Sequence, residues 1–325
     1  MKPVIVLEFE TEESLRCFIE NRKLNVIEEG NRIAVVDGEN PSELAVKLRS
    51  EIGPSNVRLA FQFNDLKSIF KEHLTISKVK GPIDFRVITI NNEDQLKLYY
   101  QLVEEAITHL PGIEISEVEP REIFTVFAGK SFYVEIWESP GIGGNACAKG
   151  QYIGALFTGS LDSFNIALNI LKSGYGVKLF CPFTNESSLR NIVYQAWRLA
   201  KLGGVTLVVY REIGGPSISG LARLLSKSGS LNTIAIPCNA ISKIGALSAI
   251  RTLQKVGMAP FILGCYNEIK LHNLQDININ KFNEEIMLNK KRHGKMVSVE
   301  IKADPSSMGM HNMLDNIIPQ LIGQN

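Results

Sequence analysis

Five short segments between residues 152 and 265 restrict the fold of this chain more than anything else in it. "YIGALF", "GVKLFCPF" and "VTLVVY" are strand-length and nearly all apolar, and "NTIAIP" and "APFILGC" follow. A strand that is apolar on both sides has no face to give to water, so its sheet must be covered on both faces. Helical patterns separate most of these runs: "DSFNIALNILKSG", "ESSLRNIVYQAWRLAKLG", "ISGLARLLSKSG" and "ALSAIRTLQKVG". The alternation predicts an α/β domain built on a doubly wound parallel sheet. In such a sheet, ligands bind outside the carboxyl ends of the strands. The tail beyond about residue 275 is polar and Asn-rich, with "MVSVEIK" as one further strand.

The first half of the chain has a different rhythm. "VIVLEF" and "RIAVVDG" read as strands. "TEESLRCFIENR" reads as a helix with Thr11 as N-cap, and "NPSELAVKLRSEIG" as a helix that Gly53 ends. The pattern restarts at "DFRVITI", a strand. A long amphipathic helix, "NEDQLKLYYQLVEEAITHL", follows, with Leu96, Tyr99, Tyr100, Val103 and Ile107 at helical spacing. Pro111 and Gly112 stop it. "EIFTVFAG" and "SFYVEIWES" are two more strands, and "AGKS" between them fits a hairpin turn. A Gly-rich segment near residue 148 marks a domain boundary.

With 325 residues the chain is long enough for two or three domains. Its 45% hydrophobic and 21% charged residues are the balance of a soluble folded protein. No apolar run approaches the roughly 18–20 residues of a membrane span. The start, "MKPVIVLEFETEES", lacks the apolar stretch of a signal peptide. The five cysteines form no CxxC pair, and an odd, sparse set predicts cytoplasmic thiols and no disulfide framework. Cys17, on a helix, and Cys147, between domains, are read as structural. His272, His293 and His311 show no ligand spacing. The net charge of +1 neither demands nor excludes a nucleic acid, because binding depends on local basic surface. Two basic clusters, Lys67/Lys71/Lys78/Lys80 and Lys290/Lys291/Arg292/His293/Lys295, read as solvated faces.

The stretch "ALFTGSLDSFNIAL", residues 155–168, carries the chemistry. Thr158, Gly159, Ser160, Asp162 and Ser163 stand between a strand and a helix. Small residues let backbone N–H groups approach an anion, and the helix start adds its unpaired N–H groups and dipole. Asp162 and Ser163 are placed to cap the helix, and Asp162 also to help hold a magnesium ion. A plain capped turn accounts for the same residues. Two other Gly-rich motifs do not compete. "AGKS" contains the end of a Walker motif, but Phe124 stands where its first Gly is required and no helix follows. "GIGGNA", residues 141–146, fits GxGxxA but leads into more loop and then a strand.

"TGSLDS" resembles the SGGxDS signature of the PP-loop ATP pyrophosphatases, with Thr158 and Ser160 in place of its first Ser and second Gly. Its prelude, "EVEPREIFTVFAGKSFYVEIWESPGIGGNACAKGQYIGALF", is similar to the end of a THUMP domain running into such a loop. That order belongs to the tRNA 4-thiouridine synthetase (ThiI) family, with Gly143, Gly144 and Gly150 at the places of the family's Gly-Gly segment and short link. The resemblance covers roughly residues 60–260. It implies a ferredoxin-like unit at 1–60, an RNA-binding THUMP domain at 61–148 and a PP-loop pyrophosphatase domain at 149–325. It also implies the chemistry: ATP with Mg2+ adenylates a tRNA uridine, pyrophosphate leaves into the loop, and sulfur from a persulfide displaces AMP. Thr158, Gly159, Ser160, Asp162 and Ser163 would hold the nucleotide phosphates. Cys238 and Cys265, at carboxyl ends of predicted strands, would carry or resolve the persulfide as thiolates. Each also fits a small buried hydrophobe. The expected partners are tRNA, a sulfur donor protein bearing a persulfide and a second copy of the chain in a homodimer, with no membrane. "PCNA" (237–240) and "CYNEI" (265–269) depart from the family's Thr-Gly-Glu and Asp-Lys-Glu stretches. They support an alternative: a tRNA-binding paralogue with a degraded pyrophosphatase site and no thiolation. An ATP-using ligase or amidotransferase of the same fold, acting on a small molecule, is a third reading.

Overall fold

The computed structural model describes residues 1–74, 81–91, 93–183, 185–212, 218–228, 231–237, 243–263 and 296–303, together with Asp315, Ile317, Pro319 and Gln320. The chain divides into two units, Met1–Cys147 and Ala148–Asn325. None of the described helices is long and apolar enough to cross a membrane.

The first unit runs β1 (Lys2–Phe9), α1 (Glu12–Arg22), β2 (Asn25–Gly30), β3 (Ile33–Asp37), α2 (Pro41–Leu48) and β4 (Pro54–Phe63). Then α3 (Leu66–Ser68) leads into a π-helical turn, Ile69–Leu74, before β5 (Ile83–Thr89), α4 (Gln95–His109), β6 (Glu122–Ala128) and β7 (Phe132–Pro140). The seven strands form one sheet in the order β2-β3-β1-β4-β7-β6-β5. Only β5 and β6 are parallel, as the crossover through α4 requires. Local chemistry sets the ends of these elements. Thr11 caps α1 by accepting from the Ser14 amide at 3.1 Å, and Asp94 caps α4. The "AGKS" segment turns β6 into β7, with the Gly129 amide bonded to the Ser131 carbonyl.

The two edges of this sheet approach each other. Asn31 Nδ2 donates to the Thr89 carbonyl, joining the β2–β3 turn to the end of β5 (3.3 Å). The carboxylate of Glu28, buried on β2, accepts from Asn91 Nδ2 (3.0 Å), the Lys130 amide (2.7 Å) and the Tyr133 hydroxyl (3.0 Å). The sheet therefore curls around a core of its own, formed by Val4, Val6, Val35, Ala60, Phe127 and Tyr133. The opposite face carries the helices. Leu15 and Phe18 of α1 and Leu48 of α2 pack on Ile5, Leu7 and Val57, while Leu102 and Ala106 of α4 pack on Phe85, Val87 and Val126. Arg58, 4% exposed, lies over the Phe127 ring and is surrounded by Glu8, Glu135 and Glu138. A buried cation needs such partners.

Two expectations are corrected in this unit. Leu96, Tyr100 and Ile107 do not form the core side of α4, because each is more than half exposed. The helix is apolar on more than one side, and the side that docks is Leu98, Leu102 and Ala106, with Tyr99 and Val103 half-buried beside it. Cys17 and Cys147 are not free thiols but a disulfide, spanning 130 residues. Backbone bonds bring them together. The Gly143 amide bonds the Pro54 carbonyl, and Ser14 Oγ donates to the Gly144 carbonyl and accepts from the Ala146 amide. The segment containing "GIGGNA" is thereby laid along α1 and the start of β4. Its role is structural within this unit.

The second unit runs β8 (Tyr152–Leu156), α5 (Leu161–Lys172), β9 (Gly176–Pro182), α6 (Glu186–Ala200), β10 (Val205–Glu212), α7 (Ile218–Ser228), β11 (Thr233–Pro237), α8 (Lys243–Gln254), β12 (Ala259–Leu263) and β13 (Met296–Ala303). Its sheet has the order β12-β11-β8-β9-β10-β13 and is parallel except for β13, which pairs antiparallel with β10. Leu156, Phe180, Val208 and Ile234 share a core with Leu221 and Leu225 of α7 and Leu253 of α8. The alternate residues Ala155, Leu179 and Leu207 are also fully buried and point to the other face, where α5 and α6 lie together. Burial on both faces explains why these strands read as continuous apolar runs. The "MVSVEIK" strand is present as β13, on the edge.

Candidate functional site

Strand order gives the β8–α5 loop its position. From β8 the chain moves outward on one side through β9 and β10, then returns to the other side of β8 as β11 and β12. Ile234 stands beside Gly154 and Ala235 beside Ala155, so β8 and β11 run in step. The chain therefore leaves the carboxyl ends of β8 and of β11 in opposite directions. This is the switch point at which doubly wound sheets form a crevice for ligands.

The loop itself is short. Phe157 is fully buried and its amide bonds the Phe180 carbonyl (2.9 Å), extending the ladder one residue past β8. Gly159 then adopts φ +76°, the left-handed region that favours glycine. A Cβ here would lie 3.1 Å from Ile192 Cγ1 and 3.2 Å from Asn191 Nδ2. The close approach of α6 thus makes an added side chain a tight fit as well. α6 also holds the loop by its carbonyl: Gln195 Nε2 donates to the Gly159 oxygen at 2.9 Å and Asn191 Nδ2 at 3.4 Å.

Ser160 is the N-cap of α5, accepting from the Ser163 amide (3.3 Å) and from Thr158 Oγ1 (3.1 Å). This differs from the expected capping by Asp162 and Ser163. Ser163 lies at the third helical position, fully buried, with its hydroxyl donating back to the Ser160 carbonyl (2.8 Å). Asp162 lies at the second, exposed, where a carboxylate favours the positive end of the helix dipole. The Leu161 amide has no acceptor among the described residues, as the first turn of a helix dictates. Thr158, Gly159, Ser160, Asp162 and Ser163 are thus one contiguous turn, with Ser163 buried and Asp162 exposed.

Cys238 directly follows the last residue of β11, and Cys265 falls two residues past β12; both lie outside the described residues. So do Lys78, Lys80, His272, His293, His311 and the cluster at 290–295. Cys181 is described. It is fully buried in β9, where burial pushes its thiol well above the ordinary range, so it is held neutral and unreactive. Among the described residues no group of three or more His, Cys, Asp or Glu could hold a metal ion. Asn191 and Gln195 were not evident from the sequence. Their only signal is an i,i+4 pair of amides on the polar side of α6, and its meaning depends on α6 packing beside α5.

The structure defines an α/β protein with a mostly parallel second sheet and a glycine-bent loop at that sheet's switch point. Comparison with solved structures gives this architecture its relatives. A 4-thiouridine synthetase, solved as an RNA complex with bound ATP, superposes with a TM-score of 0.58 at 12% identity, covering 87% of this chain and 85% of its own. PH1313 from Pyrococcus horikoshii Ot3 superposes with a TM-score of 0.56 at 14% identity, covering 88% and 99%. At these identities the likeness is one of fold. No protein-family model and no curated protein matches the chain.

Proposed function

We propose that this chain is an ATP-using RNA-modifying enzyme whose nucleotide phosphates are held by residues 158–163. The observation that carries the reading is the position of the bent Gly159 loop, ahead of a helix N-terminus and at the switch point of the second sheet. A fold relative bound to both RNA and ATP supports it. The finer assignment is adenylation of a tRNA uridine followed by sulfur transfer, as the PP-loop resemblance implies.

The chain's own groups divide the work. Backbone amides of the loop take the departing pyrophosphate. Gln195 and Asn191 keep the Gly159 carbonyl turned away, so that the amide side of the loop faces the ligand. Asp162 sets the charge requirement. A carboxylate beside a polyphosphate repels it unless a divalent cation lies between, so this donor set fits a magnesium nucleotide better than a bare anion. Magnesium would neutralise charge as the α–β phosphate bond breaks. One of the thiolates of Cys238 and Cys265 would take the outer sulfur of the carrier's persulfide and release the carrier thiol. That sulfur would displace AMP from the uridine carbon, and the other thiolate would break the resulting mixed disulfide, leaving the sulfur on the base and a Cys238–Cys265 disulfide for an external thiol to reduce.

Pyrophosphate release with ATP, Mg2+, tRNA and a persulfide donor tests the reading. Asp162→Ala should abolish release and leave tRNA affinity within twofold. Release unchanged in that variant refutes the loop assignment. One observation favours the alternative of an RNA-binding paralogue without catalysis: Ser160 Oγ already occupies the Ser163 amide that a phosphate would take. Calorimetry separates the two readings. Magnesium-dependent ATP binding supports the enzyme, and its absence supports the paralogue.

A further inference from the structure

The outward side of α6 has a composition that neither the fold nor the loop requires. At 100° per residue, Arg190, Tyr194, Trp197, Arg198 and Lys201 fall within an arc of about 100°. Two of its cations lie against rings, while Arg190 pairs with Glu186. The Arg198 guanidinium lies 5.4 Å from the centre of the Phe164 ring on α5 and 5.9 Å from that of Tyr194, and Lys201 Nζ lies 3.7 Å from the Trp197 ring. Beyond the end of α5, Lys149 Nζ lies 4.4 Å from the Tyr175 ring. Within residues 149–201 three cations, Lys149, Arg198 and Lys201, thus lie against four rings. Arg198 and Lys201 form no ion pair among the described residues, and Tyr194 is 47% exposed. The stripe also meets the candidate site: Phe164 is one helical turn from the Ser160 cap, and Gln195, next to Tyr194, holds the Gly159 carbonyl.

We propose that this α5–α6 stripe is an RNA-binding surface, on which Arg198 and Lys201 meet the phosphate backbone and Tyr194 stacks on an unpaired base beside the loop. The inference rests on the RNA half of the reading above. Charge complementarity selects a polyanion, and the aromatic rings select one with exposed bases. An acidic protein surface would meet the same groups without any binding of a tRNA transcript, which separates the two. Arg198 lies within about 6 Å of the centres of two rings, and such packing restricts it before the RNA arrives, which lowers the cost of ordering it.

Fluorescence anisotropy with an unmodified tRNA transcript, the full chain and a salt series tests this. Arg198→Ala should weaken binding about tenfold and reduce the salt slope by about one. Tyr194→Ala should weaken it about fivefold or more with the slope unchanged, and Tyr194→Phe should bind as wild type. Lys255→Ala, which removes one exposed charge beyond α8 on the other face, should change neither quantity. Melting temperature and magnesium-ATP affinity, read on the same preparations, should stay at wild-type values in the stripe variants. Unchanged affinity and slope in Arg198→Ala and Tyr194→Ala overturn the proposal. So does a loss that falls equally on Tyr194→Phe or that tracks a lowered melting temperature, because the stripe is then only helix packing. Wild-type protein that binds ATP but no tRNA overturns the stripe and the RNA half of the function while leaving the nucleotide loop standing. Protein that binds tRNA through the stripe but no ATP removes only the enzymatic reading.

Discussion

Replacing Gly159 with alanine tests both the structure of the loop and its purpose. A left-handed backbone costs an L-residue about 1–2 kcal/mol relative to glycine. The new methyl would also sit 3.1 Å from Ile192 Cγ1 and 3.2 Å from Asn191 Nδ2, so α6 must give by a few tenths of an ångström. Overpacking of that kind adds about 1 kcal/mol. Alanine restricts the unfolded chain and returns about 0.4–1 kcal/mol. The net expectation is a loss of roughly 2 kcal/mol. Gly150 provides the comparison, because it has φ +66° with nothing within 4 Å of an added Cβ. Gly150→Ala carries the backbone cost alone and should lose about 1 kcal/mol or less.

Urea unfolding resolves a difference of that size. Trp137→Phe leaves Trp197 as the chain's one tryptophan, so its fluorescence reports the second unit alone. The same preparations are titrated with magnesium-ATP. Gly159→Ala should lower ATP affinity at least tenfold, about 1.4 kcal/mol, because the methyl pushes the loop off Gln195. Gly150→Ala should leave it unchanged. If Gly159→Ala costs no more stability than Gly150→Ala, the close approach of α6 is wrong. If it costs the expected stability and ATP affinity does not move, the loop is a structural turn and holds no nucleotide.

Three further perturbations address the first unit, and each is read by Trp137 fluorescence in a Trp197→Phe background. A Cβ at Gly129 would overlap the Glu28 carboxylate, which is fixed by three donors; Gly129→Ala should lose about 2–4 kcal/mol, and a loss below 1 kcal/mol refutes the clamp. Reducing the Cys17–Cys147 disulfide opens a loop of 130 residues and should cost about 5 kcal/mol on the chain-entropy account, a shift that Cys147→Ser should reproduce and that reductant should not enlarge. Burial raises the Glu135 carboxyl above the ordinary carboxylate range, with the nearby charges of Glu138 and Glu8 adding to the rise and Arg58 opposing it. A raised value in the folded state means a stabilising contribution that is complete below the ordinary range and lost as pH rises through the raised value. Glu135→Gln should therefore flatten the decline in urea midpoint on the alkaline side of that range, and an unaltered slope refutes the assignment.

The parts of this fold that were legible in the sequence are those whose signal is local. Thr11 ahead of two acidic residues announces a capped helix, and "AGKS" between two β-rich runs announces a hairpin. Apolar runs such as "VTLVVY" announce buried strands. β4 was not legible, although it is the longest strand. Arg58 interrupts its pattern, and the carboxylates that make the arginine tolerable come from β1 and β7, at least 50 residues away. β2 was hidden in the same way by Glu28, whose hydroxyl partner lies 105 residues on. The disulfide had no spacing to reveal it, because the backbone bonds of residues 141–146 bring its halves together. α4 failed for the opposite reason. Its periodicity was present on more than one side, and periodicity does not say which side docks.

The candidate site shows the same division more sharply. Residues 158–163 would look alike in a capped turn and in a phosphate loop, since Ser160 caps α5 in either case. The two readings are separated by the rank of β8 in the sheet. At the edge, the loop after β8 would open onto solvent with helices from one side only. β8 is instead flanked by β9 and β11, and the chain departs from β8 and β11 in opposite directions, so the loop lies at the switch point where sheets of this kind bind ligands. Strand order depends on which faces of four helices find cover, and no six residues encode it. The contribution of the hexapeptide is narrower but necessary: a glycine where the backbone is left-handed and α6 crowds a Cβ, and small side chains around it.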